Sequence, residues 1–198
     1  MGTKHIVAAF DFDGTLTTRD TLVDFIVFVF GKTKTFWGLL RMSPAIMLMK
    51  LGLRKNWVVK QDLFALFFKG MPYSEFQKYG RSYANRIDKI IRLKGMNILK
   101  CHLNRGDEVF VVTASIENWV APWCHRVGIK YVIGTQVEED GNGNLTGRFL
   151  SKNCYGPEKV NRLLKVKPER DAYVLYAYGD SRGDKEMIEF ADKGQYIN

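Results

Sequence analysis

The chain has 198 residues, 46% hydrophobic and 26% charged, which excludes a disordered or collagen-like protein and supplies a core needing no disulfide or metal support. Its 30 Lys and Arg against 21 Asp and Glu leave a formal charge of +9. The excess is lopsided: residues 1–100 hold 17 basic and 7 acidic side chains, residues 101–198 hold 13 and 14, so the first half points to a phosphate-bearing, nucleic-acid or anionic-membrane partner.

Residues 5–13 (HIVAAFDFD) are a β-rich run ending in two carboxylates and Gly14, which predicts a buried strand entering a loop. No secretory leader is expected, because Asp11 and Asp13 interrupt the apolar start and no small-residue cleavage site follows. Ile6 stands where myristoylation after Met1-Gly2 wants Ser or Thr. From residue 17 to 95 apolar residues recur at helical spacing, through residues 22–30, 36–40, 45–53, 57–68 and 73–91, punctuated by Gly31, Pro44, Gly52, Gly70 and Pro72. This predicts a small helical domain inserted between the first two sheet strands. Its most apolar tract, residues 22–53, is broken by Asp24, Lys32, Lys34, Arg41 and Pro44, so no span of about 18 apolar residues is available to cross a membrane.

Residues 108–115 (EVFVVTAS), 131–135 and 172–180 (AYVLYAYGD) read as three further strands. Residues 115–126 and 157–166 have helical spacing, with Pro157 suited to a first helical position. Between them, Asp140-Gly141-Asn142-Gly143 joins two short alternating arms, as a β-hairpin would. The expected architecture is α/β: a parallel sheet flanked by helices, built from residues 1–16 and 96–198, with the helical insert of residues 17–95 and a small hairpin. Three cysteines, Cys101, Cys124 and Cys154, form no C-x-x-C, which fits a reducing cytoplasm better than a disulfide framework. Cys101-His102 and Cys124-His125 lack zinc-finger spacing and read as scattered core thiols and surface imidazoles.

Three of the four strands end in residues fit for chemistry, as open parallel sheets do where ligands bind beyond their carboxyl ends. Asp11 and Asp13 follow the first, Thr113 and Ser115 the second to be met, and Asp180 the last, with Asp184 four residues on. Like charges so close repel unless a cation compensates, and Mg²⁺ takes carboxylate and phosphate oxygens. Taken singly, Asp13-Gly14 also suits a turn and Asp180-Ser181 a helix cap.

Asp11-Phe12-Asp13-Gly14-Thr15-Leu16-Thr17 resembles the first signature of the haloacid dehalogenase superfamily of phosphohydrolases. Val111-Val112-Thr113 is similar to the second, Lys159 at a helix start to the third, and Gly179-Asp180-Ser181-Arg182-Gly183-Asp184 to the fourth. The four come in family order along nearly the whole chain, and the insert after the first signature resembles the C1-type cap of subfamily IB, the phosphoserine-phosphatase-like group. The resemblance implies a Rossmann-like core and a Mg²⁺-dependent phosphomonoester hydrolase. In it Asp11 is the nucleophile forming an aspartyl-phosphate, and Asp13 is the acid and then the base. Asp11, Asp180 and the Asp13 main-chain carbonyl hold the metal. Thr113 donates to a phosphoryl oxygen, Lys159 neutralises its charge, and Asp184 orients Lys159 or reaches the metal through water. Backbone N–H groups near Gly14 and Ala114 complete the cradle, with Thr15, Ser115 and Asn118 beside it; Ser115 also suits a helix cap. Lys152 is the rival for Lys159, but it follows the hairpin instead of opening a helix.

Asp20 stands where phosphoserine phosphatases carry an acid that contacts the substrate amino group. Those enzymes also resemble one another in an arginine-bearing cap helix, whereas residues 60–69 here contain no arginine, and Thr113-Ala114-Ser115 replaces their Ser-Gly-Gly. The expected substrate is therefore phosphoserine or a similar small phosphomonoester. Residues 17–95 carry 15 basic and 5 acidic side chains interleaved with apolar runs, which suits a cap lying on anionic lipid. This favours a phosphatidylglycerophosphate-type lipid phosphatase as the alternative, cytoplasmic and peripheral to the inner face of the membrane. The same stripes also suit a helical core with its lysines in solvent, the commoner use of apolar stripes at helical spacing. A non-catalytic nucleic-acid binder is the remote alternative, since a binder of phosphate backbones has no use for four acids at one sheet edge.

Overall fold

The computed structural model describes residues 4–197; Met1 and Gly2 of the myristoylation reading lie outside them. Five parallel strands form one sheet in the order β3-β2-β1-β6-β7: β1 His5–Phe10, β2 Glu108–Ile116, β3 Tyr131–Thr135, β6 Tyr173–Gly179 and β7 Lys193–Tyr196. β1 lies at the centre because its Val-Ala-Ala-Phe run is buried on both faces, as a parallel sheet covered by helices requires. The chain leaves β1 towards β2 and β3 on one side and returns as β6 on the other. That reversal opens a crevice at the carboxyl ends of β1 and β6. The hairpin pairs β4 Val137–Glu139 with β5 Leu145–Phe149 in antiparallel register, as Asp140-Gly141-Asn142-Gly143 predicts.

The insert is helical throughout: α1 Thr21–Lys50, α2 Asn56–Phe68 and α3 Tyr73–Ile87, after which α4 Leu93–Arg105 leads into β2. α1 consists of two helices where the punctuation predicts three. Gly31 (φ 80°, ψ 163°) does break the helical geometry, so two helices meet at a kink there. Pro44 breaks nothing: its fixed φ suits a helix, and Leu40, whose carbonyl it deprives of a partner, is an exposed residue. α5 Glu117–Arg126 and α6 Pro157–Val166 cover the sheet, α6 with Pro157 in its first turn, and α7 Lys185–Phe190 precedes β7. β7 (KGQY) is four exposed residues without alternation, and no sequence signal announces it.

One apolar cluster runs through both the sheet side and the insert. Phe25 of α1 stacks on Trp119 of α5 with centroids 4.6 Å apart and meets Tyr83 of α3 edge-on at 5.1 Å. Gly80 permits this: a Cβ there would lie 2.1 Å from the Asn118 carbonyl oxygen, so α3 and α5 touch backbone to backbone. The hairpin grips the insert from the other side. Gly70 N–H donates to the Leu145 carbonyl at 2.8 Å, Leu145 N–H to Met71 at 2.9 Å, and Tyr73 N–H to Gly143 at 2.9 Å. Phe149 N–H donates to Gln61 Oε1 at 3.0 Å. Cys124 and Cys154 are buried and Cys101 is exposed. His102, read as a surface imidazole, is buried between Asp107 (2.7 Å) and the Tyr178 hydroxyl (2.9 Å).

Candidate active site

The carboxyl ends of β1, β2 and β6 and the start of α6 converge on a cavity of about 430 Å³, lined by Asp11, Asp13, Gly14, Thr113, Ala114, Lys159, Asp180 and Asp184 among others. Asp11 follows β1 directly, and its N–H donates to the Tyr178 carbonyl at 2.8 Å, extending the sheet by one residue and fixing where its side chain leaves the backbone. Lys159, in the first turn of α6, is 1% exposed and lies between two carboxylates, its Nζ 2.5 Å from Asp11 Oδ1 and 2.5 Å from Asp184 Oδ1. Burial alone would lower its pKa, but Asp11 and Asp184 raise it, so it stays an ammonium. Lys152 is exposed and lines a different cleft.

Asp184 is saturated with partners. Its Oδ2 accepts from Ser181 N–H and Oγ, both at 3.0 Å, and from Asp180 N–H at 3.2 Å, so it locks the loop after β6 while its other oxygen holds Lys159. Asp180 is half-buried and accepts from Thr15 Oγ1 at 3.4 Å. Gly14 makes this approach feasible: it adopts φ 81°, and a Cβ would sit 2.1 Å from Asp180 Oδ2. Thr113 accepts Ser115 N–H at 3.0 Å, which leaves its own proton to donate into the cavity.

Oxygens of Asp11, Asp180 and Asp184 lie within 4.8 Å of one another. Three carboxylates against the single Lys159 ammonium leave a net charge of two negatives, and the donors are all oxygen, which fits a hard divalent cation. Uncompensated, the acids resist ionising: burial pushes the Asp11 carboxyl up to about 7 against the pull of Lys159, and burial also raises Asp180, with Asp184 adding to it. The Asp13 carboxylate, to which the resemblance gives the acid and base role and not that of a metal ligand, is outside this cluster. Its Oδ1 accepts from Thr21 N–H (3.0 Å) and Oγ1 (2.7 Å), and its Oδ2 from Ser115 Oγ, so only its main-chain carbonyl remains for a cation. Burial, reinforced by Asp20, pushes its pKa up to about 6 despite Lys60, Ser115 and Thr21.

Three residues expected beside the cradle, Thr15, Ser115 and Asn118, lie off the cavity wall. Thr15 and Ser115 are buried behind the acids, the first against Asp180 and the second against Asp13. Asn118 donates to the Tyr73 hydroxyl at 3.1 Å and lines a separate cleft. Asp20 reaches the cavity rim but also caps α1, accepting from Leu22 N–H at 2.9 Å, with Lys60 Nζ 3.8 Å from its other oxygen. Residues that the motifs do not mark join the wall: Lys60 and Asn56 of α2, Arg92 at the head of α4, and Tyr155. Arg92 Nε is buried with no hydrogen-bond partner among the described residues. Its one sequence signal was a lone base among many in the insert. Thr21 likewise carries no motif, although it orients Asp13.

Residues 8–189 match the family model of the haloacid dehalogenase-like hydrolases. Protein CicA of Caulobacter vibrioides is 32% identical over 197 residues, covering 99% of this chain and 87% of the relative. A phosphoserine phosphatase of Mycobacterium tuberculosis is 27% identical over 136 residues, 67% of this chain and 44% of that protein. Among solved structures, a protein of unknown function from Bordetella pertussis Tohama I superposes with a TM-score of 0.79 at 20% identity, covering 98% of this chain and 90% of the other. A substrate-bound phosphoserine phosphatase complex superposes with a TM-score of 0.67 at 20% identity, over 100% of this chain and 86% of the other, a likeness of fold.

Proposed function

The chain belongs to the haloacid dehalogenase-like hydrolases, and on that premise we propose that it is a Mg²⁺-dependent phosphomonoesterase acting through an aspartyl-phosphate. The observation that carries this reading is the single constellation of Asp11, Lys159, Asp180 and Asp184, with Asp13 held two residues from the nucleophile by its own hydroxyl partners. Asp11 attacks phosphorus as the bond to the leaving oxygen breaks, and Asp13 gives that oxygen its proton. Asp13 then takes a proton from the water that attacks phosphorus, releasing phosphate and free Asp11. A carboxyl near 6 suits both halves of that exchange. Lys159 and Thr113 stabilise the charge on the equatorial oxygens, where phosphoryl transfer gains most of its catalysis. Magnesium would be held by Asp11, Asp180 and the Asp13 main-chain carbonyl, and supplies charge neutralisation that lets an anionic nucleophile approach a phosphate.

Residues 17–95 serve as the cap in this reading, because Lys60, Asn56 and Arg92 come from it to close the cavity. The substrate is a small phosphomonoester with a second anionic group, which Lys60 and Arg92, whose Nε is unpartnered among the described residues, receive at the cavity wall. Phosphoserine fits that class, although α2 offers a lysine where phosphoserine phosphatases resemble one another in an arginine. Hydrolysis of p-nitrophenyl phosphate should require Mg²⁺, and Asp11→Asn should lower kcat by about four orders of magnitude. Turnover surviving in that variant would overturn the mechanism. A panel of phosphorylated metabolites that includes phosphoserine and phosphatidylglycerophosphate then ranks the substrates.

A further inference from the structure

Beyond the kink at Gly31, α1 projects a second half whose two faces are both apolar. The inner face, with Thr35, Leu39, Met42 and Ile46, is buried or half-buried, and at Gly38 it closes on the Phe67 ring of α2, where a Cβ would meet the ring at 2.2 Å. The outer face is covered by nothing among the described residues. At about 3.6 residues per turn Phe36, Leu40, Met47 and Leu51 fall on one line, with Trp37 and Leu48 beside them, in an arc of about 120°. Trp37 is 62% exposed, Met47 64% and Leu51 66%, and the ledge continues through Leu53 at 74% into Trp57. Scattered exposed apolar residues need no explanation, but a continuous row of this length does.

Charge frames the row. Lys32 and Lys50 flank it on one side, Lys34 and Arg41 on the other; all four are exposed and none is ion-paired among the described residues. No acid occurs between Asp24 and Asp62, whereas Arg54, Lys55 and Lys60 add to the bases over the same stretch. An apolar arc with aromatic residues, bordered by lysines that can reach upward past it, is the design of a helix lying in the headgroup layer. A second copy of this chain is a poor occupant, since pairing these faces would set four unpaired cations against four more. No helix among the described residues is long and apolar enough to cross a membrane.

We propose that the outer face of α1, from Phe36 to Leu51 with the Leu53–Trp57 extension, docks the protein in plane on an anionic lipid bilayer. The docking face runs by chain continuity into the cavity wall, because Trp57 is flanked by Asn56 and followed by Lys60. The proposal stands apart from the catalytic reading, since none of these apolar residues lines the cavity.

The test is co-sedimentation of the full chain with vesicles of phosphatidylcholine and phosphatidylglycerol in equal parts, against phosphatidylcholine alone. Two variants report on it: Trp37→Glu/Leu40→Glu/Met47→Glu, and Lys32→Gln/Lys34→Gln/Arg41→Gln/Lys50→Gln. Their fold is checked by p-nitrophenyl phosphate turnover and by melting. The wild type should partition at least about tenfold more onto anionic vesicles and lose this in high salt, and each variant should bind at least about tenfold less. Three results would each overturn the proposal: no binding to anionic vesicles at low salt, undiminished binding by the apolar variant, or a wild-type dimer in light scattering that the apolar variant dissolves.

Discussion

Gly14 shows how far one position can constrain a site: its left-handed φ and missing Cβ let Asp180 come within reach of the loop that carries Asp11 and Asp13. Asp11, Asp13, Lys159 and Asp180 were all legible as residues, because carboxylates past strand ends and a lysine opening a helix are local patterns. What their side chains touch was not. Thr21 and Ser115 reach Asp13 from 8 and 102 residues away, and no local spacing encodes such contacts. The same holds for Arg92, which enters the cavity only because Gly95 lets α4 lie against the Thr15 carbonyl, a Cβ there falling 2.2 Å from that oxygen. Its buried, unpartnered Nε yields a prediction at this scale. Arg92→Ala should raise KM for a phosphomonoester bearing a carboxylate or second phosphate by about tenfold or more relative to p-nitrophenyl phosphate, since a charged hydrogen bond contributes about 1.5–3 kcal/mol. Steady-state kinetics on the two substrates check it; an equal effect on both would place Arg92 with the reacting phosphate instead.

At the scale of elements, the insert is tied to itself by a buried ion pair. Asp24 of α1 accepts from Arg86 Nε at 2.6 Å and Nη2 at 2.8 Å, and from the Tyr83 hydroxyl at 2.9 Å, both on α3. Burial works to raise the Asp24 carboxyl, but the Arg86 and Tyr83 hydrogen bonds prevail and hold it below the usual carboxylate range. A depressed folded value means that the stability it contributes is present above the unfolded value near ~3.9 and is lost as pH falls through the folded one. Asp24→Asn should therefore lower stability at neutral pH by about 2–3 kcal/mol, the low end for breaking such a pair because Arg86 stays partly in solvent. Urea denaturation between about pH 7 and pH 3 should then show a shallower acid loss than in the wild type. Sequence periodicity found each helix of the insert but divided α1 at Pro44, because a proline removes a helical hydrogen bond and so reads as a break, although this helix continues through it.

For the whole molecule, the carboxylate cluster of Asp11, Asp180 and Asp184 joins the loops after β1 and β6, so a cation bound there would brace the crevice between two halves of the sheet. Magnesium at about 100 times its Kd should stabilise the fold by about 2.7 kcal/mol, a rise in Tm of roughly 5–10 °C for a chain of this size. Differential scanning fluorimetry checks this: chelation should reverse the shift and Asp180→Asn should abolish it. A shift that persists in Asp180→Asn would move the cation elsewhere. The formal charge of +9 also takes on meaning at this scale. The excess of bases lies on the insert, with 15 basic against 5 acidic side chains, whereas the rest of the chain, with 15 against 16, is near neutral.

By itself the sequence determined what depends on neighbours along the chain. The four principal strands, the hairpin turn, the helical insert and the acids that follow β1 and β6 all rest on residues within a few positions of one another. Only the tertiary structure decided which groups meet: the hairpin gripping α2 and α3, β7 completing the sheet from four unremarkable residues, Asp184 clamping Lys159, and α1 burying one apolar face while leaving the other open. The physical reason is that an apolar stripe states its preference to leave water but does not name the surface that will cover it, and a polar side chain states its hydrogen-bonding capacity but not its partner.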